Sequence, residues 1–499
     1  MPSGLYRAAQ VRGFDRAAIE GLGIPGATLM ARAGEAAFRA LRARWPEARA
    51  VAVVCGAGNN GGDGYVVARL AREAGLVARA VAVSDPARLR GDAAGAAEGA
   101  RAAGVPLEPF RADALRGADV LVDALLGTGL DRPLEGEWAV AVQAIRSAGR
   151  PTLALDIPSG LHADTGQVLG AAVRASVTVT FLALKPGLFT GAGPAYCGRV
   201  VFHDLGVPRS VLEGEEPAAL RLDGEALRRV WLAPRRRDAH KGRFGHVLVV
   251  GGDHGYGGAA RLAGEAAARC GAGLVTVATR PEHVGAMIAA RPELMARGVE
   301  RASDLAPLLA RATVVALGPG LGQGSWGREL AAAALGCGLP QVVDADALSM
   351  APQGTTLASP RVLTPHPGEA ARMLGISTAQ VQDDRLVAAA SLRERFGAVV
   401  VLKGNGTVVD DGQGPPAICT QGNPGMATGG MGDLLTGVVA GLLAQGVPAG
   451  AAARLGAWLH AEAADAAARG GERGLLPSDL FGHLTSLVNP HRPGSDGGP

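Results

Sequence analysis

The chain has 499 residues and a formal net charge of only +3, and 48% of its residues are hydrophobic. This length exceeds what one ordinary hydrophobic core supports, so two or more domains are expected. The near-neutral charge argues against a nucleic-acid partner, and no apolar run of about 20 residues free of charges is present to span a membrane.

The cysteine pattern and the N-terminus both favour a cytoplasmic location. The five cysteines are scattered and include no C-x-x-C pair, which argues against a zinc ribbon and against a disulfide framework. The first residues contain no apolar segment followed by a small-residue cleavage site, so no secretion signal is predicted. The one basic run, RRR at 235–237, is interpreted as a solvated linker or an anion contact.

From residue 50 onward, short apolar runs alternate with alanine-rich segments of helical period. In the first half the runs are AVAVVCG (50–56), ARAVAVS (78–84), ADVLVDALLG (118–127), PTLALDIPSG (151–160) and ASVTVTFLALK (175–185). Strands that are apolar throughout are buried on both faces, and helices between them make the strands parallel. The first half therefore predicts an α/β domain with three layers, α/β/α.

The alternation stops around residues 206–237, which are charged, contain prolines and lack periodicity. It restarts with GHVLVVGG (245–252), GAGLVTVATR (271–280), ATVVALGPGLG (312–322), PQVVDADAL (340–348) and AVVVLKG (398–404). We therefore predict a first domain over 1–215, a linker over 216–240, a second α/β domain over 241–488 and a disordered tail over 489–499.

Polar residues follow three strands of the first half. They lie in GNNGGDG (58–64), in Asp123 with the turn GTGLDRP (127–133), and in DIPSG (156–160). Ligands of open parallel sheets bind at the carboxyl ends of strands, and glycines at a helix start let backbone N–H groups point at an anion. A purely structural role for Asp123 or Asp156, as the cap of a helix or turn, stays open at this point.

Residues 56–61 also fit the G-x-G-x-x-G fingerprint of dinucleotide-binding domains. A dehydrogenase needs an acidic residue near the end of the second strand to bind a ribose, and Asp85 is placed to supply it. That interpretation does not explain Asn60 and Asp63 in the phosphate loop, nor the second glycine turn at 127–133.

Taken in order, NNGGDG, DALLGTGLDRP and DIPSG resemble the N-terminal domain of the NAD(P)H-hydrate epimerase family, over about Arg7 to Leu205. The resemblance implies a Rossmann-like fold and a substrate that is NADH or NADPH hydrated at carbon 6 of the nicotinamide ring. It implies that Asp156 transfers the proton, a task suited to a carboxylate. A potassium ion would be held by the hard oxygen ligands of Asn60, Asp123 and Ser159. The implied substrate contacts are Asn59, Asn60, Gly61, Gly62, Asp63, Gly127, Thr128, Gly129, Leu130, Asp131, Arg132, Pro133 and Asp156.

The most distinctive segment of the second half is TQGNPGMATGGMGDLLTGVVAGLLAQG (420–446). Its glycines predict a turn before an apolar-periodic helix, whose first N–H groups would form an anion hole for a transferring phosphoryl group. Asp433 at the helix start is a candidate base, and the helix dipole is expected to keep it ionised. A simple N-cap role for Asp433 is the alternative.

Three further segments end strands of the second half: VVLKGNGTVV (400–409), LTPHPGEAARML (363–374) and ALGPGLG (316–322). Lys403 closes a strand before a turn suited to nucleotide phosphates, and His366 lies between two prolines in a rigid turn. A structural histidine is the alternative for His366. No Walker A sequence occurs, which excludes the P-loop class.

The G-x-G-D turn resembles the ribokinase-like superfamily, and HPGE, KGNGT and GNPGMATGGMGD resemble its ADP/ATP-dependent NAD(P)H-hydrate dehydratases, over about Lys241 to Val488. The resemblance implies that ADP phosphorylates the hydroxyl on carbon 6 and leaves as AMP, after which phosphate is eliminated. Asp433 would be the base, and Mg²⁺ would take part, with Glu369 as a possible ligand through water. The implied nucleotide contacts are Lys403, Gly404, Asn405, Gly406, Thr407 and Gly432. The implied hydrate contacts are Ala259, Gly322, His366 and Asp433.

Together the resemblances imply one polypeptide that interconverts the R and S forms of the hydrate and dehydrates the S form. One alternative is a hydroxymethylpyrimidine- or hydroxyethylthiazole-type kinase fused to a nonenzymatic Rossmann-like module. Another is an N-terminal domain that is regulatory or binds a lipoprotein. A homo-oligomer is expected, with no nucleic-acid or membrane partner.

Overall fold

The computed structural model describes residues 1–354 and 360–489, so the predicted tail lies outside the described residues except for Asn489. The chain forms two compact units, with the boundary between Leu220 and Arg221. Each unit has its own buried apolar core. The five cysteines are free thiols. None of the helices in the described part of the chain has the length and apolar character required to cross a membrane.

The first unit is a parallel sheet with helices on both faces, as predicted. Its strands run in the order β4-β3-β2-β5-β6-β7-β8, all parallel. They are β2 (Ala50–Cys55), β3 (Val77–Ala82), β4 (Leu107–Pro109), β5 (Val120–Ala124), β6 (Thr152–Leu155), β7 (Val177–Phe181) and β8 (Arg199–His203). β1 (Gly4–Leu5) pairs antiparallel with β9 (Ala219–Arg221) and does not belong to this seven-stranded sheet.

The helices of the first unit are α1 (Ala8–Arg16), α2 (Gly26–Arg44), α3 (Asn59–Glu73), α4 (Gly91–Ala102), α5 (Gly136–Ser147) and α6 (Gly193–Cys197). Val51 and Val53 of β2 belong to the core that contains α2, α3 and α4, whereas Ala52 and Val54 belong to the core that contains α5. Burial of both faces explains why the strands read as continuous apolar runs. Because β2 has β3 on one side and β5 on the other, the chain reverses its winding direction there, which is where such sheets bind ligands.

The second unit is also built on a mostly parallel sheet. Its strand order is β12-β11-β10-β13-β14-β15-β16-β17-β18, parallel from β12 to β16 and antiparallel in the last two pairs. The strands are β10 (His246–Val250), β11 (Leu274–Thr279), β12 (Met295–Gly298), β13 (Val314–Leu317), β14 (Gln341–Val343), β15 (Arg361–Leu363), β16 (Val399–Leu402), β17 (Thr407–Asp410) and β18 (Ala417–Cys419).

The helices of the second unit are α7 (Gly224–Trp231), α8 (Gly257–Arg269), α9 (Val284–Ala290), α10 (Ala306–Leu309), α11 (Ser325–Leu335), α12 (Pro367–Leu374), α13 (Thr378–Asp383), α14 (Arg385–Phe396), α15 (Met431–Ala444), α16 (Ala449–Ala467) and α17 (Leu480–Leu487). Helix α15 packs so closely on α8 that there is no room for a side chain at Gly437. A Cβ placed there would lie 2.0 Å from the carbonyl oxygen of Ala263. This packing fixes the helix whose first turn carries Asp433.

The segment 216–240, predicted as a linker, contains secondary structure. It contains β9 and α7, and the side chain of Asp223 caps α7 by accepting a hydrogen bond from the amide of Ala226 at 3.0 Å. Gly224 packs so closely on the ring of Trp458 in α16 that a Cβ would lie 2.0 Å from it. The second unit therefore begins at Arg221. Helix α7 was not predicted from the sequence because it is short and carries charged residues.

Candidate active sites

A cavity of about 390 Å³ lies at the carboxyl ends of the strands in the first unit. The start of α3, the turn after β5, the turn after β6 and the first two helices all contribute to its wall. A Cβ on Gly127 would lie 3.5 Å from Oδ2 of Asp156 and 3.6 Å from Cβ of Asn60. The polar segments that contain Asn60 and Asp156 therefore meet at the turn over 127–133, which is the third polar segment predicted from the sequence.

Asp123 and Ser159 form a buried pair beside this cavity. Asp123 is fully buried, its Oδ2 accepts from the amide of Ser159 at 2.8 Å, and its Oδ1 accepts from the Ser159 hydroxyl at 2.6 Å. Burial raises the pKa of Asp123 to about 6. Both amide atoms of Asn60 are buried without a hydrogen-bond partner. An unpaired buried amide is costly, so this side chain is suited to receive a cation that the neighbouring oxygens share.

Asp156 is held in a strained backbone conformation, with φ at +63°. Such conformations are rare for residues with a side chain and cost about 1–3 kcal/mol. Its Oδ1 accepts from Lys185 Nζ, from Thr180 Oγ1 at 3.3 Å and from the amide of Phe181 at 3.4 Å. The helix-cap or turn-cap role considered for Asp156 is not what these contacts describe, because the hydrogen-bond partners of its carboxylate lie on the neighbouring strand β7 and on Lys185.

The structure places the predicted substrate residues of this unit in two groups. Those that line the cavity are Asn59, Asn60, Asp63, Gly127, Thr128, Gly129 and Asp156. The other six, Gly61, Gly62, Leu130, Asp131, Arg132 and Pro133, do not line it. Gly61 and Gly62 instead permit close packing, since a Cβ would lie 2.1 Å from the carbonyl oxygen of Gly56 and 2.5 Å from Met30 respectively.

The sequence analysis missed four charged residues of this cavity, namely Arg12, Asp15, Asp92 and Lys185. Asp15 on α1 lines it, and burial followed by the Asp156 charge raises its pKa to about 6. Lys185 also lines it and has no exposed surface. A lone lysine inside the apolar run ASVTVTFLALK was the available signal. The pKa of Asp63 lies well above its usual range because of burial, with the charges of Asp156 and Asp15 adding to the effect.

In the second unit, Lys403 and Asp433 lie in one cluster around Asp344. Lys403 Nζ donates to Asp344 Oδ1 at 2.7 Å, and Thr436 Oγ1 donates to Asp344 Oδ2 at 2.8 Å. Burial opposes the charge on Lys403, but the carboxylates of Asp344 and Glu369 outweigh it and raise the pKa of the lysine. Asp344, which follows β14, was missed because the segment VVDADAL matches no motif.

Helix α15 begins at Met431, after Gly430 in the left-handed region with φ at +93°, so Asp433 is its third residue. Burial raises the pKa of Asp433 to about 6, with Asp344 adding to the rise and Lys403 opposing it. The sequence predicts that the helix dipole keeps this carboxylate ionised; burial acts against that, but a carboxyl with a pKa of about 6 is still mostly ionised at neutral pH. A carboxyl with a pKa near neutrality is matched to the work of a general base.

The segment from Lys403 to Thr407 is the tight turn between β16 and β17. Gly404 and Gly406 have φ values of +136° and +67°, which only glycine adopts without strain. The buried guanidinium of Arg385 donates to the carbonyl oxygens of Leu402 and Lys403 at 3.0 and 3.1 Å. Arg385 was missed by the sequence analysis and holds the turn from behind.

His366 caps α12, as in the structural alternative for this residue. Its Nδ1 accepts from the amides of Gly368 and Glu369 at 3.0 and 3.3 Å, while the amide of His366 donates to Glu369 Oε2 at 2.7 Å. The imidazole is half exposed, and its Nε2 lies 3.4 Å from Glu369 Oε1. A cap and a ligand contact are compatible in one residue.

Ala259 lies in the first turn of α8, which follows β10, and Gly322 lies in the loop that follows β13. A Cβ on Gly320 would lie 3.1 Å from Cβ of Ala259, and a Cβ on Gly322 would lie 2.7 Å from the carboxylate of Asp253. The amide of Gly322 donates to Asp346 at 3.0 Å. A cavity of about 270 Å³ opens beside Glu369, Asp346 and Gln323.

Comparisons with known proteins cover nearly the whole chain. A family model described as NAD(P)H-hydrate dehydratase matches residues 247–486, and one described as YjeF-related protein N-terminus matches residues 26–187. The bifunctional NAD(P)H-hydrate repair enzyme Nnr of Coxiella burnetii is 50% identical over 487 residues, covering 97% of this chain and 99% of that one. Nnr of Escherichia coli is 44% identical over 491 residues, covering 98% and 95%. Among solved structures, a hypothetical protein of Streptococcus mutans is 29% identical with a TM-score of 0.50, covering 54% of this chain and 98% of that one.

Proposed function

The chain belongs to the family of bifunctional NAD(P)H-hydrate repair enzymes, and on this premise we propose which residues perform each of its two reactions. The chain is an epimerase and a dehydratase of hydrated NADH and NADPH, with both activities in one polypeptide. The relatives match from end to end, so the kinase-fusion alternative and a purely regulatory N-terminal domain are not supported. The G-x-G-x-x-G fingerprint at residues 56–61 therefore occurs in a protein that takes a nicotinamide dinucleotide as its substrate.

The first unit carries the epimerase reaction, with Asp156 as the proton-transferring residue. The observation that supports this assignment is the placement of a strained carboxylate at a cavity rimmed by the start of α3. Epimerisation of a carbon that bears a hydroxyl and a ring nitrogen requires a proton to move at the hydroxyl or the ring. The substrate is a dinucleotide whose phosphates suit the N-terminus of a helix, here the amides after Gly58.

Potassium would be held by Asn60, Asp123 and Ser159. The fit rests on the unpaired buried amide of Asn60, on the fully buried Asp123 carboxylate and on the Ser159 hydroxyl. Amide, carboxylate and hydroxyl oxygens are hard donors. A bound monovalent cation would neutralise the buried charge and fix the turn that carries Gly127.

The second unit carries the dehydratase reaction, with Asp433 as the base and Lys403 near the transferred phosphoryl group. In this reaction the terminal phosphoryl of ADP passes to the hydroxyl of the S hydrate, AMP leaves, and phosphate is then eliminated. The hydroxyl proton goes to Asp433. The amides of Gly432 and its neighbours at the start of α15 stabilise the charge that develops on the phosphoryl oxygens. The turn from Lys403 to Thr407, together with Gly432, binds the nucleotide, and Ala259, Gly322 and His366 contact the hydrate.

Magnesium would be held mainly by nucleotide oxygens, with Glu369 reaching it through water. Glu369 Oε2 is engaged by the amide of His366, and Lys403 Nζ lies 3.8 Å from the same oxygen. Oε1, which lies 3.4 Å from His366 Nε2, would make the water-mediated contact. The metal would neutralise phosphate charge during transfer.

We place the protein in the cytoplasm and expect it to work as a homo-oligomer on small molecules. The free thiols and the charge near zero support a reducing compartment without a nucleic-acid partner. Gel filtration with light scattering tests the oligomer, and a monomer at micromolar concentration would contradict it.

The assignment of the two sites is tested by separating the hydrate epimers chromatographically without nucleotide. Starting from one epimer, the wild type and Asp433→Asn should reach the equilibrium mixture at the same rate, whereas Asp156→Asn should not exceed the spontaneous rate. With ADP and Mg²⁺ added, Asp433→Asn should form neither AMP nor phosphate. If Asp156→Asn equilibrates the epimers like the wild type, the epimerase site lies elsewhere.

A further inference from the structure

Lys185 is a buried cation whose ammonium group hydrogen-bonds Asp156 and two residues of the neighbouring strand β7. It has no exposed surface, and its Nζ donates to Asp156 Oδ1, to Thr180 Oγ1 at 3.0 Å and to the carbonyl oxygen of Phe181 at 3.0 Å. An ammonium has three hydrogens, and three acceptors take all of them. Removing a lysine from water is costly unless it is paired, so this arrangement is built around one carboxylate.

The two oxygens of Asp156 have different surroundings. Every hydrogen bond described for this carboxylate reaches Oδ1, from Lys185, Thr180 and the amide of Phe181. Oδ2 instead faces the turn at Gly127, where an added Cβ would lie 3.5 Å away. One oxygen is anchored by the protein, and the other is directed toward the turn that lines the cavity.

The charges that face Asp156 make Lys185 important. Asp15, Asp63 and Asp92 line the same cavity, and the cations that line it are Lys185 and the exposed Arg12. The charge of Asp156 raises the pKa values of Asp15 and Asp63, and Lys185 lowers that of Asp15. Without Lys185, several carboxylates would compete for protons in one partly buried space.

We infer that Lys185 is the positioning residue of the epimerase reaction: it anchors Oδ1 of Asp156, so that Oδ2 is presented to the substrate. The inference rests on the proposed function of this cavity. Lys185 is not in the polar motifs at the strand ends, and it makes no contact that requires it to touch the substrate. Its effect is exerted through Asp156.

The test compares Lys185→Met with the wild type in the nucleotide-free epimerase assay. Methionine keeps the length of the side chain and removes the charge. The expected result is a fall in kcat of about 100-fold or more with little change in KM, because a well-placed base contributes that much. A fall in kcat at unchanged KM identifies lost positioning of Asp156, because a general loss of structure would weaken substrate binding as well.

A milder pair of variants covers the case in which Lys185→Met does not fold. Thr180→Val removes an acceptor of the lysine, while Thr178→Val removes an equally buried hydroxyl on the same strand that donates to the carbonyl oxygen of Cys197 at 2.7 Å. The kcat should fall for Thr180→Val and stay near the wild-type value for Thr178→Val, with KM unchanged in both. Equal kcat in the two variants, or an unchanged kcat in folded Lys185→Met, overturns the inference.

Asp156→Asn separates this inference from the proposed function. If Asp156→Asn retains full epimerase activity, the proposed site is wrong and the role of Lys185 falls with it. If Asp156→Asn is inactive while Lys185→Met keeps the wild-type kcat, the site stands and only the role of Lys185 is overturned.

Discussion

At the scale of single residues, Asp433 links burial to a measurable pH dependence. Burial and neighbouring carboxylates raise its pKa to about 6, so the proton is bound below that pH and lost above it. A base acts only when ionised, so dehydratase kcat/KM should fall up to about tenfold per pH unit below about pH 6. The measurement is the dehydratase rate with ADP between about pH 5 and pH 8. A flat profile through this range, in enzyme that regains full activity at neutral pH, would contradict the role of Asp433.

Gly432 provides a second prediction at this scale. A Cβ at this position would lie 3.1 Å from Lys403 Nζ and 3.4 Å from Asp344 Oδ2. Gly432→Ala should therefore displace the lysine and raise the KM for ADP about tenfold or more, which corresponds to about 1.4 kcal/mol. Gly482→Ala, in α17 with open space around it, is the control for a glycine lost from a helix. An unchanged KM for ADP in Gly432→Ala would show that the lysine does not need this space.

The unpaired amide of Asn60 predicts a potassium response. In the nucleotide-free epimerase assay, the wild-type rate should rise as K⁺ is added, and Asn60→Ala should need a concentration at least about tenfold higher, since lost ligation weakens metal binding by such factors. Asn59→Ala should keep the wild-type K⁺ response whatever its KM, because that side chain is exposed. The same K⁺ midpoint in wild type and Asn60→Ala would remove Asn60 from the cation site.

Single residues also show what a sequence can and cannot indicate about a site. Asp156, Asp123 and Asp433 were predicted because each ends a strand or begins a helix beside a glycine turn. Lys185 and Asp344 were missed because their roles come from partners 29 and 59 positions away in the chain. Contacts of that kind are created by tertiary packing and leave no local pattern.

At the scale of elements, close packing of α3 on the sheet explains a glycine inside that helix. A Cβ on Gly64 would lie 2.5 Å from Cβ of Ala124 and 3.1 Å from Cys55 Sγ. Gly64→Ala should therefore destabilise the first unit by about 1–3 kcal/mol, because overpacking forces helix and sheet apart. The measurement is the urea concentration at which epimerase activity is lost.

Gly95→Ala is the matched control for Gly64→Ala. Gly95 lies in the exposed interior of α4 with no atom within 4 Å of an added Cβ. Alanine should stabilise the helix by about 0.5–1 kcal/mol through its better helix propensity. The two changes in the urea concentration need not be equal in size. A destabilised Gly95→Ala or an unaffected Gly64→Ala would contradict the packing argument.

The elements themselves were largely predictable, because continuous apolar strands and alanine-rich helices differ in period. Helix α7 was the exception. Its eight residues include Arg228 and Arg229, and its docking depends on the fit of Gly224 against Trp458, more than two hundred residues away. Short helices draw their stability from packing, which a local pattern does not contain.

At the scale of the whole molecule, the two units explain why one chain carries two reactions. The hydrate exists as two epimers, and a dehydratase that acts on one epimer would leave the other behind. Each unit has its own core and its own candidate site at the carboxyl ends of its strands. Fusion supplies the epimerase wherever the dehydratase is made, so the whole damaged pool becomes repairable.

The most direct test follows the reduced-nicotinamide absorbance regained from a mixture of both NADH hydrate epimers with ADP, Mg²⁺ and K⁺. The wild type should regain the full absorbance, and Asp433→Asn should regain none. Asp156→Asn should stop near the fraction present as the S epimer, apart from slow spontaneous epimerisation. If Asp156→Asn regains the full signal at the wild-type rate, or if Asp433→Asn restores the cofactor, the division of the two reactions between these two sites is contradicted.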